Sequence, residues 1–297
     1  MTTITDLPDT VRASRAAPRS RLAGSLANVT LTAAITWIAV GLFVFTLLAV
    51  VAAVVVYALS TSWGATWLPG GLTLDRLREA LEVPGMVRSL WVTVLVSVSV
   101  VVISLVVGVP AAYVLARKSF PGRSAVMLVL LLPVVLTPLT YAVQLAALMY
   151  KIHLGGSVLA VVLVNLVPIL PLVILVMIPF VEQISPNVER AAKVFGAGPG
   201  RLFTSVLVPL LVPGIVAAGI LSLVRVLGSF ELTFFVSSAK SQTLIVAIFG
   251  KMADPSAPPV YITAAMTVFY MVFALVGLLV GLRFSDPASA LGGSKTR

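Results

Sequence analysis

The chain has 297 residues, of which 60% are hydrophobic and 10% are charged, and its mean hydropathy is +1.13. Because a water-soluble domain carries about 25% charged residues, this composition excludes a chain surrounded by water and predicts a polytopic helical membrane protein. Lysines and arginines on the cytoplasmic side then explain the net charge of +10, so nucleic acid is not expected as a partner. Cysteine is absent, which excludes disulfides and cysteine-ligated metals.

Charge-free apolar intervals predict six membrane spans, since a membrane helix needs about 20 apolar residues. Residues 1–30 are polar and basic, and we predict a disordered cytoplasmic tail there. The first span is predicted at 36–59, and charged residues bracket the other five at 88–117, 123–151, 151–182, 201–225 and 254–283. We therefore predict an all-α fold, a polytopic bundle of six transmembrane helices over 31–284, followed by a cytoplasmic tail over 285–297.

The distribution of lysine and arginine predicts that both termini face the cytoplasm. With the N-terminus inside, the cytoplasmic segments hold thirteen of these residues and the outer segments hold six. Cytoplasmic loops of membrane proteins carry the excess of positive charge, so this orientation is favoured over the reverse. It places the loop at about 182–203 in the cytoplasm.

Two outer segments are predicted to be more than simple turns. The loop 60–86 carries a short charged helix near Asp75–Leu81, which either covers the outer end of the bundle or docks a soluble binding protein. Residues Gly228–Gly250 are divided by Lys240 and a cluster of serine and glutamine into pieces too short to cross a membrane. We predict an interfacial or partly re-entrant segment there.

Prolines interrupt three neighbouring spans. They are Pro133, Pro138, Pro168, Pro171, Pro209 and Pro213. Proline removes a backbone donor and kinks a membrane helix. Packing geometry explains any single one of them, whereas kinks in three neighbouring spans suit a bundle that opens alternately on its two sides.

The loop between the fourth and fifth spans is the longest charged, glycine-bearing interruption between strongly apolar runs. Ser185 and the proline after it are predicted to start a short amphipathic helix. Glu189 and Lys193 are spaced for a favourable pair across one helical turn. The glycines from Gly196 to Gly200 then end the helix and bend the chain back toward the membrane.

This loop resembles the cytoplasmic signature of binding-protein-dependent ABC importer permeases, which reads Glu-Ala-Ala, three residues, Gly, nine residues, Ile, one residue, Leu-Pro. Ala191-Ala192, Gly196 and Pro209 stand at the matching spacing, while Arg190 occupies the glutamate position and Glu189 lies one residue earlier. The resemblance covers about 86–283 and implies a type I, MetI-like permease fold. The residues it implies for coupling to an ATPase are Glu189, Arg190, Ala191, Ala192, Gly196, Arg201 and Pro209.

The same resemblance implies an ATP-driven importer in the bacterial inner membrane. Two permease chains, an ABC ATPase dimer and an extracytoplasmic solute-binding protein would form the complex within the lipid bilayer. ATP-driven closure of the ATPases would move the loop, the loop would move the fifth span, and the solute path would open alternately outside and inside. This chain has no phosphate-binding G-x-x-x-x-G-K-[ST] loop, so we expect no enzymatic activity and no cofactor on it, with ATP and Mg²⁺ on the partner ATPase.

The transported solute is predicted from a weaker resemblance. The run F-E-L-T-F at 230–234, followed by S-Q-T-L at 241–244, resembles the branch of the family that imports polyamines, iron or phosphonates rather than sugars. A sugar-type ABC permease stays an alternative, as does a secondary transporter or channel without an ATPase. The last class would favour ion-coupling carboxylates in the middle of the spans, and the sequence offers none there.

Polar residues within or beside the spans are the candidates for the solute path. They are Tyr141, Gln144, Asn165, Arg225 and Glu231. For the first three, interhelical hydrogen bonding, worth about 0.6 kcal/mol per pair, is the default role. Arg225 either pairs with Glu231, extends to the outer interface or attracts an anionic group of the solute, whereas Glu231 would instead meet a cationic solute. The single histidine has no neighbouring ligands, so no metal site is predicted.

Overall fold

The computed structural model describes residues 19–61, 70–253 and 260–284, with the backbone alone for 19–32, 34 and 284. Within these ranges every regular element is a helix, apart from one antiparallel bridge between Ser60 and Leu72. The helices are α1 (Arg19–Leu59), α2 (Asp75–Glu82), α3 (Met86–Arg117), α4 (Arg123–Val135), α5 (Pro138–Lys151), α6 (Val158–Gln183), α7 (Pro186–Val194), α8 (Pro199–Leu202), α9 (Val208–Leu227), α10 (Glu231–Val236), α11 (Leu244–Ala253) and α12 (Val260–Phe284). A π-helical segment, Phe203–Leu207, joins α8 to α9.

The predicted tails fall mostly beyond these ranges. Residues 1–18 and 285–297 lie outside the described residues, and residues 19–30 are the first turns of α1. The chain divides into two compact units at Val54. In the first unit the apolar side chains of α1 from Ile35 onward are exposed, as expected for a helix that lies in lipid.

Five helical stretches are long and apolar enough to cross a membrane: Ile35–Leu59, Met86–Arg117, Val158–Gln183, Pro199–Leu227 and Val260–Arg283. They match five of the six predicted spans. The predicted span at 123–151 is instead a bent pair, α4 and α5, whose axes differ by 100°. The six-span prediction therefore holds when this pair counts as one broken span.

The break between α4 and α5 follows from Pro138. A residue before proline is disfavoured in the α-helical region because of a clash with the proline ring. Thr137 is accordingly extended, with a ψ of 136°, and Pro138 takes the first position of α5. Leu136 is extended as well, with a ψ of 143°, which lengthens the break. The other prolines of these spans are accommodated without a break, since Pro133 lies within α4, and Pro168 and Pro171 lie within the continuous α6.

The prolines of the fifth span change the helix type at its start. Pro209 has no N–H, so the carbonyl four residues earlier loses its α-helical donor. The helix is π-helical over Phe203–Leu207, where the N–H of Val208 donates to the carbonyl of Phe203 five residues earlier. The helix then continues as α9, with Pro213 inside it.

Close contacts between helices hold the second unit, Val55–Arg297, together. Its main buried cluster includes Val100 on α3, Val164 and Met177 on α6, and Leu211 on α9. A Cβ at Gly108 on α3 would lie 2.7 Å from Val173 Cγ1 on α6, and a Cβ at Gly214 on α9 would lie 2.6 Å from the Phe180 ring. Small residues therefore let these helices approach closely, as expected where lipid removes the hydrophobic drive for helix association.

The segments predicted to lie outside form short helices that pack on the bundle. The predicted helix near Asp75–Leu81 is α2, where Arg76 pairs with Glu79 at 2.8 Å and lies 3.8 Å from the centre of the Tyr261 ring. The hydrogen bond to Glu79 raises the pKa of Arg76 above its ordinary value. The helices that begin within 228–250, α10 and α11, are six and ten residues long, as predicted for a segment that does not cross the membrane.

Candidate functional site

The predicted coupling helix is α7, and its two ends are formed by the residues predicted for them. At the start, Ser185 Oγ accepts from the Asn187 N–H at 3.3 Å, and a proline takes the first position. At the end, Gly196 has a φ of +80° and its N–H donates to the Lys193 carbonyl, while the Ala197 N–H donates to the Ala192 carbonyl. This left-handed closure favours glycine, and it turns the chain toward α8.

Large apolar side chains project outward from the end of α7. Val194 is 84% exposed and Phe195 is 90% exposed, and Arg190 and Ala191 on the same helix are exposed as well. Ala192 is half-buried and packs against the core of the bundle. The outer side of α7 is therefore an apolar tip beside positive charge, while its inner side is fastened to the bundle.

Glu189 faces inward, which the sequence did not predict. Its Oε2 accepts from the Tyr113 hydroxyl at 2.8 Å, and its Oε1 lies 2.9 Å from Nε of Arg117. Both charged side chains are largely buried, at 12% exposure for Glu189 and 16% for Arg117. The guanidinium of Arg117 also donates to the carbonyl of Ile184, at the end of α6. The expected pair with Lys193 is thus replaced by a pair with α3.

The remaining coupling residues lie on the far side of the turn. Arg201 is exposed on α8, and Pro209 is exposed in the first turn of α9. Among the residues named from the loop signature, Glu189 and Ala192 are half-buried, and the exposed ones are Arg190, Ala191, Gly196, Arg201 and Pro209. Tyr113 and Arg117 belong to this site but lie about 70 residues away in the chain, so helical spacing within the loop gave no signal for them.

Arg225 and Glu231 line one cavity. It has a volume of about 320 Å³, and α5, α6, α9 and α10 contribute to its wall. Its lining residues are Pro138, Pro168, Ile169, Leu221, Val224, Arg225, Gly228, Ser229, Glu231 and Leu232. Arg225 is exposed and Glu231 is half-buried. The ion pairs found in the described part of the chain include neither residue, so of the three alternatives for Arg225 the pair with Glu231 is not formed there.

The three other candidates for the solute path differ in how deeply they are buried. Tyr141 is half-buried, and its hydroxyl donates to the Pro133 carbonyl at 3.3 Å across the α4–α5 break. Gln144 is exposed on α5. Asn165 is fully buried, and its amide donates to the Val161 carbonyl at 2.8 Å and to Thr233 Oγ1 at 3.3 Å.

Asn165 therefore supports the cavity instead of lining it. Its Oδ1 accepts from the hydroxyl of Ser229, which is one of the lining residues. The amide thus fastens the α9–α10 connection to α6. This is the interhelical hydrogen bonding expected by default for a polar residue within a span.

We expect Asn165→Ala to destabilise the bundle. The change leaves Ser229 and Thr233 without this buried partner, which costs about 1–2 kcal/mol in the free energy of unfolding. Unfolding of the detergent-solubilised protein, followed by circular dichroism, measures the change. Gln144→Ala, at an exposed position on α5, is the matched control and should cost less than about 0.5 kcal/mol. Equal effects of the two substitutions would contradict the assigned role.

The apolar spans, the exposed loop helix and a cavity that holds Arg225 and Glu231 indicate a multi-pass membrane protein. Residues 104–286 match the family described as "Binding-protein-dependent transport system inner membrane component". The chain belongs to this family, and it is an inner-membrane permease subunit of an ABC importer. The prediction of fold class and of inner-membrane location is thereby confirmed.

Several characterised permeases are similar over most of their length. The chain is 31% identical over 201 residues to the molybdenum transport system permease protein ModB of Haemophilus influenzae, covering 62% of this chain and 87% of ModB. It is 32% identical over 233 residues to the sulfoquinovosyl glycerol transport system permease protein SmoH of Agrobacterium fabrum, covering 77% and 81%. For the trehalose permease SugB of Mycobacterium tuberculosis, identity is 28%, covering 69% and 79%.

The fold is also that of a solved transporter. A crystal structure of a bacterial alginate ABC transporter, in complex with an alginate pentasaccharide-bound periplasmic protein, matches with a TM-score of 0.68. The match covers 90% of this chain and 98% of that one at 16% sequence identity, so it establishes the fold alone.

The predicted solute branch is not confirmed. The relatives named above are described as permeases for molybdenum or for sugar-type solutes, not for polyamines, iron or phosphonates. Two of the residues that suggested that branch have a packing role in the structure. Leu232 and Thr233 are buried and pack α10 into the bundle, and Thr233 accepts the bond from Asn165.

Proposed function

We propose that this chain forms the membrane path of an importer driven by a separate ATPase, which docks on α7. The observation that carries the proposal is the exposure of Val194 and Phe195 at the tip of a capped helix. Aromatic side chains that project from a fixed helix are typical anchors of protein interfaces, because burying them gains much apolar area. The N-terminal cap and the left-handed Gly196 hold this tip in place.

The surface around the tip indicates the chemistry of the partner. Arg190, Lys193 and Arg201 are exposed, whereas the one carboxylate of α7 is turned inward and matched by Arg117. The outward side of the loop is therefore apolar at its centre and positive at its rim. An ATPase cleft with an apolar floor and carboxylates at its edge is the complementary surface.

The other partners follow the family. A second permease chain completes the path, and an extracytoplasmic binding protein delivers the solute. The permease family supports this assembly. The alginate transporter supports it as well, because a chain of that transporter has the same fold and the crystal structure also contains a pentasaccharide-bound periplasmic protein. The short helix α2, with exposed Leu72 and Leu74 beside it, offers an apolar surface for that protein at the predicted outer side.

For the solute we propose a small oxyanion of the molybdate kind. Arg225 is exposed to the cavity and forms no ion pair within the described residues, so an anionic group can take that place. The relatives named ModB support the same class. A sugar is the second candidate, because the cavity also holds a hydroxyl and a carboxylate, and SmoH is similar over 77% of this chain.

Reconstitution tests the proposal. The permease is purified with its ATPase, incorporated into liposomes with the matching binding protein, and assayed for uptake of radiolabelled molybdate and trehalose. We expect uptake of molybdate that requires ATP on the cytoplasmic side. Uptake that follows an ion gradient without ATP would indicate a secondary transporter, and ATP-dependent uptake of trehalose alone would indicate the sugar class.

A further inference from the structure

We infer that Glu189, Arg117 and Tyr113 form a positioning junction that transmits movement of the coupling helix to α3 and α6, and that Glu189 is not a docking residue for the ATPase. The inference rests on the proposed function, since it concerns how docking at α7 reaches the membrane path. None of the three residues touches the solute cavity, so each acts through the helices that it joins.

Both carboxylate oxygens of Glu189 face groups inside the chain, one through a hydrogen bond and the other through the charge contact with Arg117, which lacks hydrogen-bond geometry. One oxygen accepts from Tyr113 at 2.8 Å and the other lies 2.9 Å from Arg117 Nε, with the side chain 12% exposed. A partner that covers the outer side of α7 meets Arg190 and Phe195 before it reaches this group. Of the ion pairs in the described ranges, this is the only one that joins two different helices.

The position of the pair in its helices favours both charges. Glu189 lies in the first turn of α7, where the helix dipole stabilises an anion, and Arg117 is the last residue of α3, where the dipole stabilises a cation. Burial strengthens their mutual attraction, because water screens it less. Because separating a buried pair leaves charges without a partner, the junction resists separation of the two helix ends more than an exposed ion pair does.

The junction also reaches the two neighbouring helices. Arg117 donates to the carbonyl of Ile184 at the end of α6, and the edge of the Tyr113 ring meets the ring of Phe203, with centroids 5.9 Å apart. Phe203 begins the π-helical segment that leads into α9. One cluster of side chains thus holds the cytoplasmic ends of α3, α6, α7 and the fifth span together.

This arrangement adds a second route to the one expected from the sequence, in which the loop moves the fifth span. α3 and α6 are packed closely, as the Gly108–Val173 contact shows, and Pro168 and Ile169 of α6 line the solute cavity. Movement of α7 therefore reaches α6 through the junction, and it reaches α9 through the covalent connection formed by α8 and the π-helical segment. Loss of the junction leaves docking intact and separates it from opening of the path.

The test measures docking and transport separately in the reconstituted complex. For Glu189→Gln, we expect the amount of co-purified ATPase to be unchanged and its ATP hydrolysis to stay within about twofold, while uptake falls about tenfold, a usual size for coupling between linked sites. Glu182→Gln, an exposed carboxylate at the end of α6, is the matched control and should leave uptake unchanged. The double variant Arg117→Gln/Glu189→Gln should lose no more uptake than Arg117→Gln alone, because that single variant has already lost the contact with Glu189.

Two outcomes would overturn the inference. If Glu189→Gln loses the ATPase, the carboxylate is a docking group, and if uptake is unchanged, the junction does not carry coupling. If Glu189→Gln does not accumulate in the membrane, Arg117→Lys is tested in its place. This variant keeps the positive charge of residue 117 but loses the planar geometry of the guanidinium. The same criteria of ATPase content and uptake apply to it. A wild-type chain that retains no ATPase would instead contradict the proposed function.

Discussion

Replacing Phe195 by glutamate is expected to abolish docking of the ATPase and, with it, uptake. The side chain is 90% exposed at the tip of α7 and contacts nothing that the fold depends on, so the protein should still accumulate in the membrane. Burial of an aromatic anchor typically dominates such an interface, and a carboxylate in its place would lower the affinity for the ATPase by about 100-fold. Co-purification of the ATPase in detergent and ATP-dependent uptake in liposomes measure the two effects.

The chain offers a matched control for this substitution. Phe120 is an exposed phenylalanine in the other predicted cytoplasmic turn, between α3 and α4. Phe120→Glu introduces the same charge on the same side of the membrane and should leave docking and uptake near wild-type levels. If both variants lose the ATPase equally, the loss reflects charge at the membrane surface, and α7 is not the specific docking element.

Replacing Arg225 by glutamine is expected to reduce uptake of an anionic solute by about 10- to 100-fold, which is the range for loss of a charge-assisted hydrogen bond. The side chain is exposed to the cavity and forms no ion pair in the described residues, so its removal leaves no buried charge without a partner. ATPase content and the ATP hydrolysis of the complex should be unchanged. Uptake of molybdate in liposomes is the measurement.

Glu231→Gln is the counterpart that determines the sign of the solute charge. It removes the carboxylate of the same cavity, so uptake of an anion should stay the same or rise. The reverse pattern, with Glu231→Gln inactive and Arg225→Gln active, would indicate a cationic solute and would contradict the oxyanion proposal. Equal losses in both variants would indicate that the two charges act together, as expected for a neutral polar solute such as a sugar.

The elements that depend on local chemistry could be predicted from the sequence. Apolar runs of the required length identified the spans, and Ser185 and Gly196 marked the two ends of the coupling helix, because capping and a left-handed turn need only neighbouring residues. The bend at Thr137-Pro138 was predicted as a kink and is a break of 100°, since two successive residues before α5 are extended. Proline indicates where a helix is interrupted but not how far the chain turns.

The contacts between distant segments could not be predicted. Glu189 was expected to pair with Lys193, its neighbour along α7, yet it pairs with Arg117 because packing places the end of α3 against the inner side of that helix. Glu231 was considered as a partner of Arg225 because the two are close in the sequence, yet they line one cavity without forming a pair. Helical spacing shows which residues share a helix face, but not which other helix that face meets.

The central claim is that α7 lies in the cytoplasm and receives the ATPase. The orientation rests on the distribution of positive charge, and the chain has no cysteine, so a single introduced thiol gives an unambiguous label. Phe195→Cys is treated with a membrane-impermeant maleimide in intact spheroplasts and in inverted membrane vesicles, with Lys240→Cys as the control for the outer side. The proposed mechanism predicts that Phe195→Cys is labelled only in inverted vesicles, and less so when the ATPase is bound. Labelling of Phe195→Cys in intact spheroplasts would contradict it.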